Sequence, residues 1–192
     1  MNIGNLFRRI ESADQLDGPS TGLQRRILDA ASYSPATRKV ASILRGSPVE
    51  HPLHPALVAV PIGAWTSAVV FDYVAREPKT VRNLILLGLV TTPPALITGW
   101  LDWSERNTVA RRVGLVHAAS NAVGIDAFLV SYFLRSNDSP PPLLARLLSL
   151  VGLSAIGIGG AIGGHIVFRL MDDFDTETAS APVLDPALNV VN

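Results

Sequence analysis

From residue 55 onward the chain alternates between long apolar stretches and short polar connectors. Pro55–Ala75, Asn83–Leu101, Val113–Leu134 and Leu147–Phe168 contain no lysine or arginine, and all four are apolar on every face. Each is about 19–22 residues long, which at about 1.5 Å per residue crosses a hydrocarbon layer about 30 Å thick. A soluble bundle needs polar outer faces, which these segments lack, so the pattern predicts four transmembrane helices. The connectors are Arg76–Lys79, Asp102–Arg112 and the stretch from Ser136 to the prolines 140–142.

Residues 1–50 follow another pattern. They are polar, hold seven of the sixteen basic residues, and start without the apolar run of a signal peptide. Thr21–Ala31 sets Leu23, Ile27 and Leu28 against Arg25, Arg26 and Asp29, while Pro35–Arg45 sets Val40, Ile43 and Leu44 against Arg38, Lys39 and Arg45. Both read as amphipathic helices lying in the membrane interface, although a solvated, frayed arm has the same composition. Residues 172–192 carry Asp172, Asp173, Asp175, Glu177 and Asp185 and read as an acidic, disordered tail. The expected fold is therefore all-α: a polytopic four-helix transmembrane bundle over 51–171, with an interfacial arm over 1–50 and the tail over 172–192.

Charge and composition narrow the chemistry. Sixteen basic and sixteen acidic residues balance, which removes the general positive surface that nucleic acid requires. The absence of cysteine excludes disulfides, iron–sulfur ligation and thiolate nucleophiles. No phosphate loop or nucleophile–base motif appears. Four spans put both termini on one side. Basic residues number seven near the membrane on that side against five opposite, with four more arginines in the arm, so the termini are expected in the cytoplasm and the protein in the inner (plasma) membrane.

The chemistry that remains is histidine. His51 and His54 stand at the entry of the first span, His117 about one turn into the third and His165 near the end of the fourth. With four spans these positions, and Asp102 at the end of the second, fall near the same membrane face. A shared site built from His51, His54, His117, His165 and Asp102 follows as an expectation. His117, Asn121 and Gly124 recur at i, i+4 and i+7, a polar and small stripe that must face protein, since lipid offers no hydrogen-bond partner. The glycine pairs Gly159/Gly163 and Gly160/Gly164 precede His165. They serve close helix packing, or they open a slot beside His165 for a flat ligand. Asp72 and Asp126 lie within spans and need partners: Arg135 or Arg76 for Asp72, and Ser67, Thr66, Tyr73 or water for Asp126. Pro93 and Pro94 are expected to kink the second span.

The stretches His51–Pro55, Pro61–Thr66, Asp72, Thr98–Trp103, His117 with Asn121, and Gly159–His165 occur in an order that resembles a bacterial family of four-span membrane proteins, catalogued as a domain of unknown function, number 2231. The resemblance covers about residues 38–171. Some members continue into a Rieske iron–sulfur domain, so it implies a redox neighbourhood and a Rieske-type protein as a partner. Lacking cysteine, this chain cannot ligate such a centre itself.

Three functions are open on these grounds. The first is a small b-type cytochrome-like electron-transfer subunit. Its haem b would be held by His117 and His165, with His54 as substitute and Asn121, Gly160 and Gly164 around it. The second is a non-haem metal centre on His51, His54, His117, His165 and Asp102. The third is a cofactor-free anchor or assembly subunit for a redox protein, in which the histidines are packed polar groups. A homo-oligomer fits all three.

Overall fold

The computed structural model of the chain describes residues 2–137 and 139–170; the acidic tail of the sequence reading lies outside the described residues. These form an all-α bundle. Four helices are long and apolar enough to cross a membrane: α4 (His54–Tyr73), α5 (Pro78–Ser104), α6 (Thr108–Phe133) and α7 (Leu143–His165), the last extended by a π-turn at Ile166–Leu170. Three shorter helices precede them: α1 (Ile3–Glu11), α2 (Asp17–Ser32) and α3 (Pro35–Leu44).

The helices outrun the charge-free segments at several ends because charge marks the edge of hydrocarbon, not the edge of the helix. Arg82 stands over the Tyr132 ring at 4.2 Å and Arg146 over Tyr73 at 4.3 Å, so both cations are held on aromatic faces inside helical segments. The α5 helix also continues through Pro93 and Pro94 without a break. Asn107 caps α6 by accepting the Ala110 amide at 2.8 Å, and Ser34 with Thr37 forms a reciprocal capping box that starts α3.

The spans pack in a ring. The α4 helix lies along α5 and α6 along α7; α5–α6 and α4–α7 contacts close the square, which leaves α4 and α6 facing each other across the diagonal. Trp65 of α4 and Phe128 of α6 meet there, stacked at 4.7 Å and 9°. Trp65, midway along its span, is the centre of the core, with its indole N–H donating to Ile85 O at 3.3 Å. Gly88 makes room for it, since a Cβ at that position would lie 2.2 Å from the indole nitrogen.

Below this plug, toward the end opposite the arm, the bundle holds a buried ion pair. Arg135 donates to both oxygens of Asp72, at 3.1 and 2.5 Å, and the two side chains are 1% and 3% exposed. Of the two partners the sequence offered for Asp72, the fold selects Arg135. Above the plug lies the histidine layer.

The arm is docked across the bundle end. Arg112 of α6 donates from Nε and Nη2 to the two carboxylate oxygens of Asp17, both at 2.6 Å, and from Nη1 to Glu11 O at 2.6 Å. Gln24 donates to Ser104 O at 2.7 Å, and Arg45 pairs with Glu105 at 3.0 Å.

Candidate functional site

The site is the layer where α4 enters, α5 and α7 end and α6 begins. His54 is the first residue of α4, ahead of Pro55 in the first turn, where a proline costs no hydrogen bond. Its Nδ1 lies 2.9 Å from Ala95 O on α5. His117 points from α6 to α7, with Nδ1 2.7 Å from Gly159 O. A carbonyl only accepts, so in both rings the proton sits on Nδ1 and the Nε2 lone pair is left to the bundle. On His117 that lone pair accepts from the Asn121 amide at 3.0 Å, one turn along α6.

Glycines accommodate both rings. A Cβ at Gly99 would lie 2.7 Å from His54 Cε1, and one at Gly163 would lie 3.0 Å from His117 Cε1. A Cβ at Gly159 would lie 2.3 Å from Asn121 Oδ1. The packing glycines of α7 are therefore Gly159 and Gly163. Gly160 and Gly164, assigned to a ligand slot in the sequence reading, do not face His117: a Cβ on Gly160 would meet nothing within 4 Å, and one on Gly164 would meet only Phe168 at 3.9 Å.

Asp102 lies in the last turn of α5, at the same end of the bundle. The other two histidines are elsewhere. His165 donates from Nε2 to Glu11 at 2.6 Å and stacks on Phe7 at 4.0 Å and 7°, so it fastens α1 to the end of α7. His51 is exposed and its Nδ1 bonds the nearby Val49 O at 2.9 Å, above a tight turn in which Gly46 has φ +91°. The five-residue cluster expected of His51, His54, His117, His165 and Asp102 is corrected accordingly: among the described residues no three histidines or carboxylates come together as a metal site. The arm took His165 away. Phe7 and Glu11 were missed because nothing local marks a residue that pairs across 154 positions.

The arm's other clasp is electrostatic. The Arg112 guanidinium, hydrogen-bonded to Asp17, holds that carboxyl below its ordinary value against the opposing effect of desolvation.

Asp126 finds none of the partners expected inside the bundle. It is exposed on the outer face of α6, away from His117, and no hydrogen bond or ion pair to it is formed among the described residues.

Residues 50–171 match the family described as "Predicted membrane protein (DUF2231)". No curated protein and no solved structure matches the chain.

Proposed function

The chain belongs to the DUF2231 family of membrane proteins, and we propose that it is a small multi-pass electron-transfer subunit of the b-type cytochrome kind, in which His54 and His117 would hold a haem b. The observation that carries this reading is the shared setting of the two imidazoles. They stand on diagonally opposed helices, each fixed by an Nδ1–H bond to the main chain of a neighbouring helix; Nε2 of His54 is left for a ligand, and Nε2 of His117 would be once the Asn121 amide turns away. Such a bond sets tautomer and ring orientation and raises the basicity of the free nitrogen, as it does for metal-bound histidines generally.

The substitute His54 thus takes the place of His165, whose Nε2 is committed to Glu11. Haem suits a two-imidazole donor set better than zinc does, since zinc takes three or four protein ligands and no third side chain converges among the described residues. When bound, haem supplies a one-electron centre whose potential follows its axial ligands and surroundings. The chain's own residues do the rest: Ala95 O and Gly159 O orient the rings, Gly99 and Gly163 admit them, and the Trp65–Phe128 stack closes the layer from below. In this reading the termini are cytoplasmic, and the partner is a redox protein of the Rieske type approaching from the arm side.

One observation favours the cofactor-free anchor instead. The Asn121 amide already satisfies His117 Nε2, and Gly159 and Gly163 are filled by Asn121 and His117 themselves. The oxidised and dithionite-reduced visible spectra of protein purified from haem-replete cells separate the two. A cytochrome shows a reduced-minus-oxidised signal that His54→Ala or His117→Ala abolishes and His165→Ala retains. A colourless protein, or a signal indifferent to His54 and His117, ends the haem reading, and a colourless protein that also holds no metal leaves the anchor.

A further inference from the structure

The outer face of α6 carries a group that lipid cannot satisfy. Asp126 lies seven residues before the end of α6 at Phe133, about 10 Å inside that end at about 1.5 Å per residue, and it is exposed without a partner among the described residues. The lipid-facing surfaces of the neighbouring helices are different. On α5 they present Leu86, Leu87, Val90, Leu96 and Ile97, and on α7 Leu147, Leu150, Val151 and Ile158, with Asn83 and Ser154 also exposed but no charged group among them. An ionisable group in hydrocarbon faces protein or a water-filled cavity in nearly every membrane protein, and it pairs.

We propose that the Asp126 face of α6 is the interface between two copies of this chain in the membrane. Ala119, Ala122, Asp126, Leu129 and Phe133 are all exposed and follow one another at intervals of 3, 4, 3 and 4 residues, the spacing of a helix–helix seam. The alanines on the arm side of Asp126 let two such helices approach closely. A second copy is the occupant that the chemistry selects. In a twofold interface a residue near the axis meets its own counterpart. Two carboxyl groups that share a proton are self-complementary, because the acid's O–H donates to the carboxylate of the other copy, so neither side needs a residue this chain lacks. A polar residue at one seam position also fixes register. The pairing stands or falls independently of any haem, since Asp126 points away from the histidine layer.

The test uses the natural absence of cysteine. Ala119→Cys, Ala122→Cys, Leu96→Cys and Val151→Cys are made one at a time in the full chain, reconstituted in phosphatidylcholine–phosphatidylglycerol vesicles and oxidised. Disulfide-linked dimers are expected at positions 119 and 122, and at least tenfold less at 96 and 151. Dimerisation of the unmodified chain is followed by energy transfer between labelled copies as lipid is added. Asp126→Asn, which keeps a donor and an acceptor, should stay within about threefold of the unmodified chain, and Asp126→Leu should weaken the dimer at least tenfold. Equal cross-linking at all four positions, a chain monomeric at every lipid ratio, or an Asp126→Leu dimer as strong as the original overturns the proposal. So does a chain that is monomeric in these vesicles while its Ala119→Cys or Ala122→Cys variant cross-links to a different protein in native membranes.

Discussion

Arg135→Met isolates the buried charge at the end of the bundle away from the arm. The guanidinium makes two bonds to Asp72 and three more: to Ser131 Oγ at 3.2 Å, Ser149 Oγ at 3.2 Å and Ala145 O at 3.3 Å. Methionine fills much of the same volume and removes all five. The serines are not orphaned, because Ser131 donates to Ala145 O at 2.7 Å and bonds Ser149 at 2.9 Å. The loss therefore falls on Asp72, a carboxylate only 3% exposed. Breaking such a pair by removing one partner costs about 3–5 kcal/mol, because the remaining charge is uncompensated. Arg146, with Nε 3.9 Å from Asp72 Oδ1, still offers attraction, so the lower end of that range is expected, about a hundredfold in the folding equilibrium. Asp72→Asn combined with Arg135→Met removes both charges and should fall within about 1 kcal/mol of the original chain, giving a coupling of about 2 kcal/mol or more. Reversible unfolding in bicelles, followed by tryptophan emission, measures Arg135→Met, Asp72→Asn and the double variant. A single variant within 1 kcal/mol of the original chain, or a double variant as unstable as the sum of the singles, would refute the assignment of the pair as a buried, mutually compensating unit.

Three further outcomes follow from the packing. Gly88→Ala should destabilise by about 1–3 kcal/mol, because its methyl group would lie 2.2 Å from the buried Trp65 indole, whereas Gly157→Ala, with nothing within 4 Å, should be neutral or gain about 0.5–1 kcal/mol from helix propensity; the same unfolding assay compares them. Glu11→Gln with His165→Ala should release α1, raising protease cleavage between α1 and α2 several-fold while leaving the bundle's melting temperature unchanged, and a rate equal to that of the original chain would show that the bond from Arg112 to Glu11 O suffices to hold it. The Asp17–Arg112 clasp should be insensitive to pH from about 5 to 8. A carboxyl lowered by its partner contributes stability above its unfolded value, near pH 4, and loses it as pH falls through the lower folded value. Spin-label mobility on α2 should therefore rise only below about pH 4, and a transition near neutrality would contradict the assignment.

The sequence alone determined the features that depend on local composition. Charge-free runs long enough for hydrocarbon made four spans, the alternating arm made helices over most of α2 and all but the last residue of the expected α3, and Asp72 required a basic partner. The tertiary structure decided how each span is turned about its own axis. A helix apolar on every side has almost no amphipathic signal, so two glycine pairs one residue apart, Gly159/Gly163 and Gly160/Gly164, look equivalent until α6 packs against the first. The same uncertainty offered Asp126 partners on the first span, Ser67, Thr66 and Tyr73, from which the fold turns it away. It also left His165 available to a shared site, whereas α1, 154 positions away, brings Glu11 to it. Segment identity is written in composition over twenty residues; azimuth and long-range partners are set by packing between helices, where a glycine, a ring or a carboxylate fits only one neighbour.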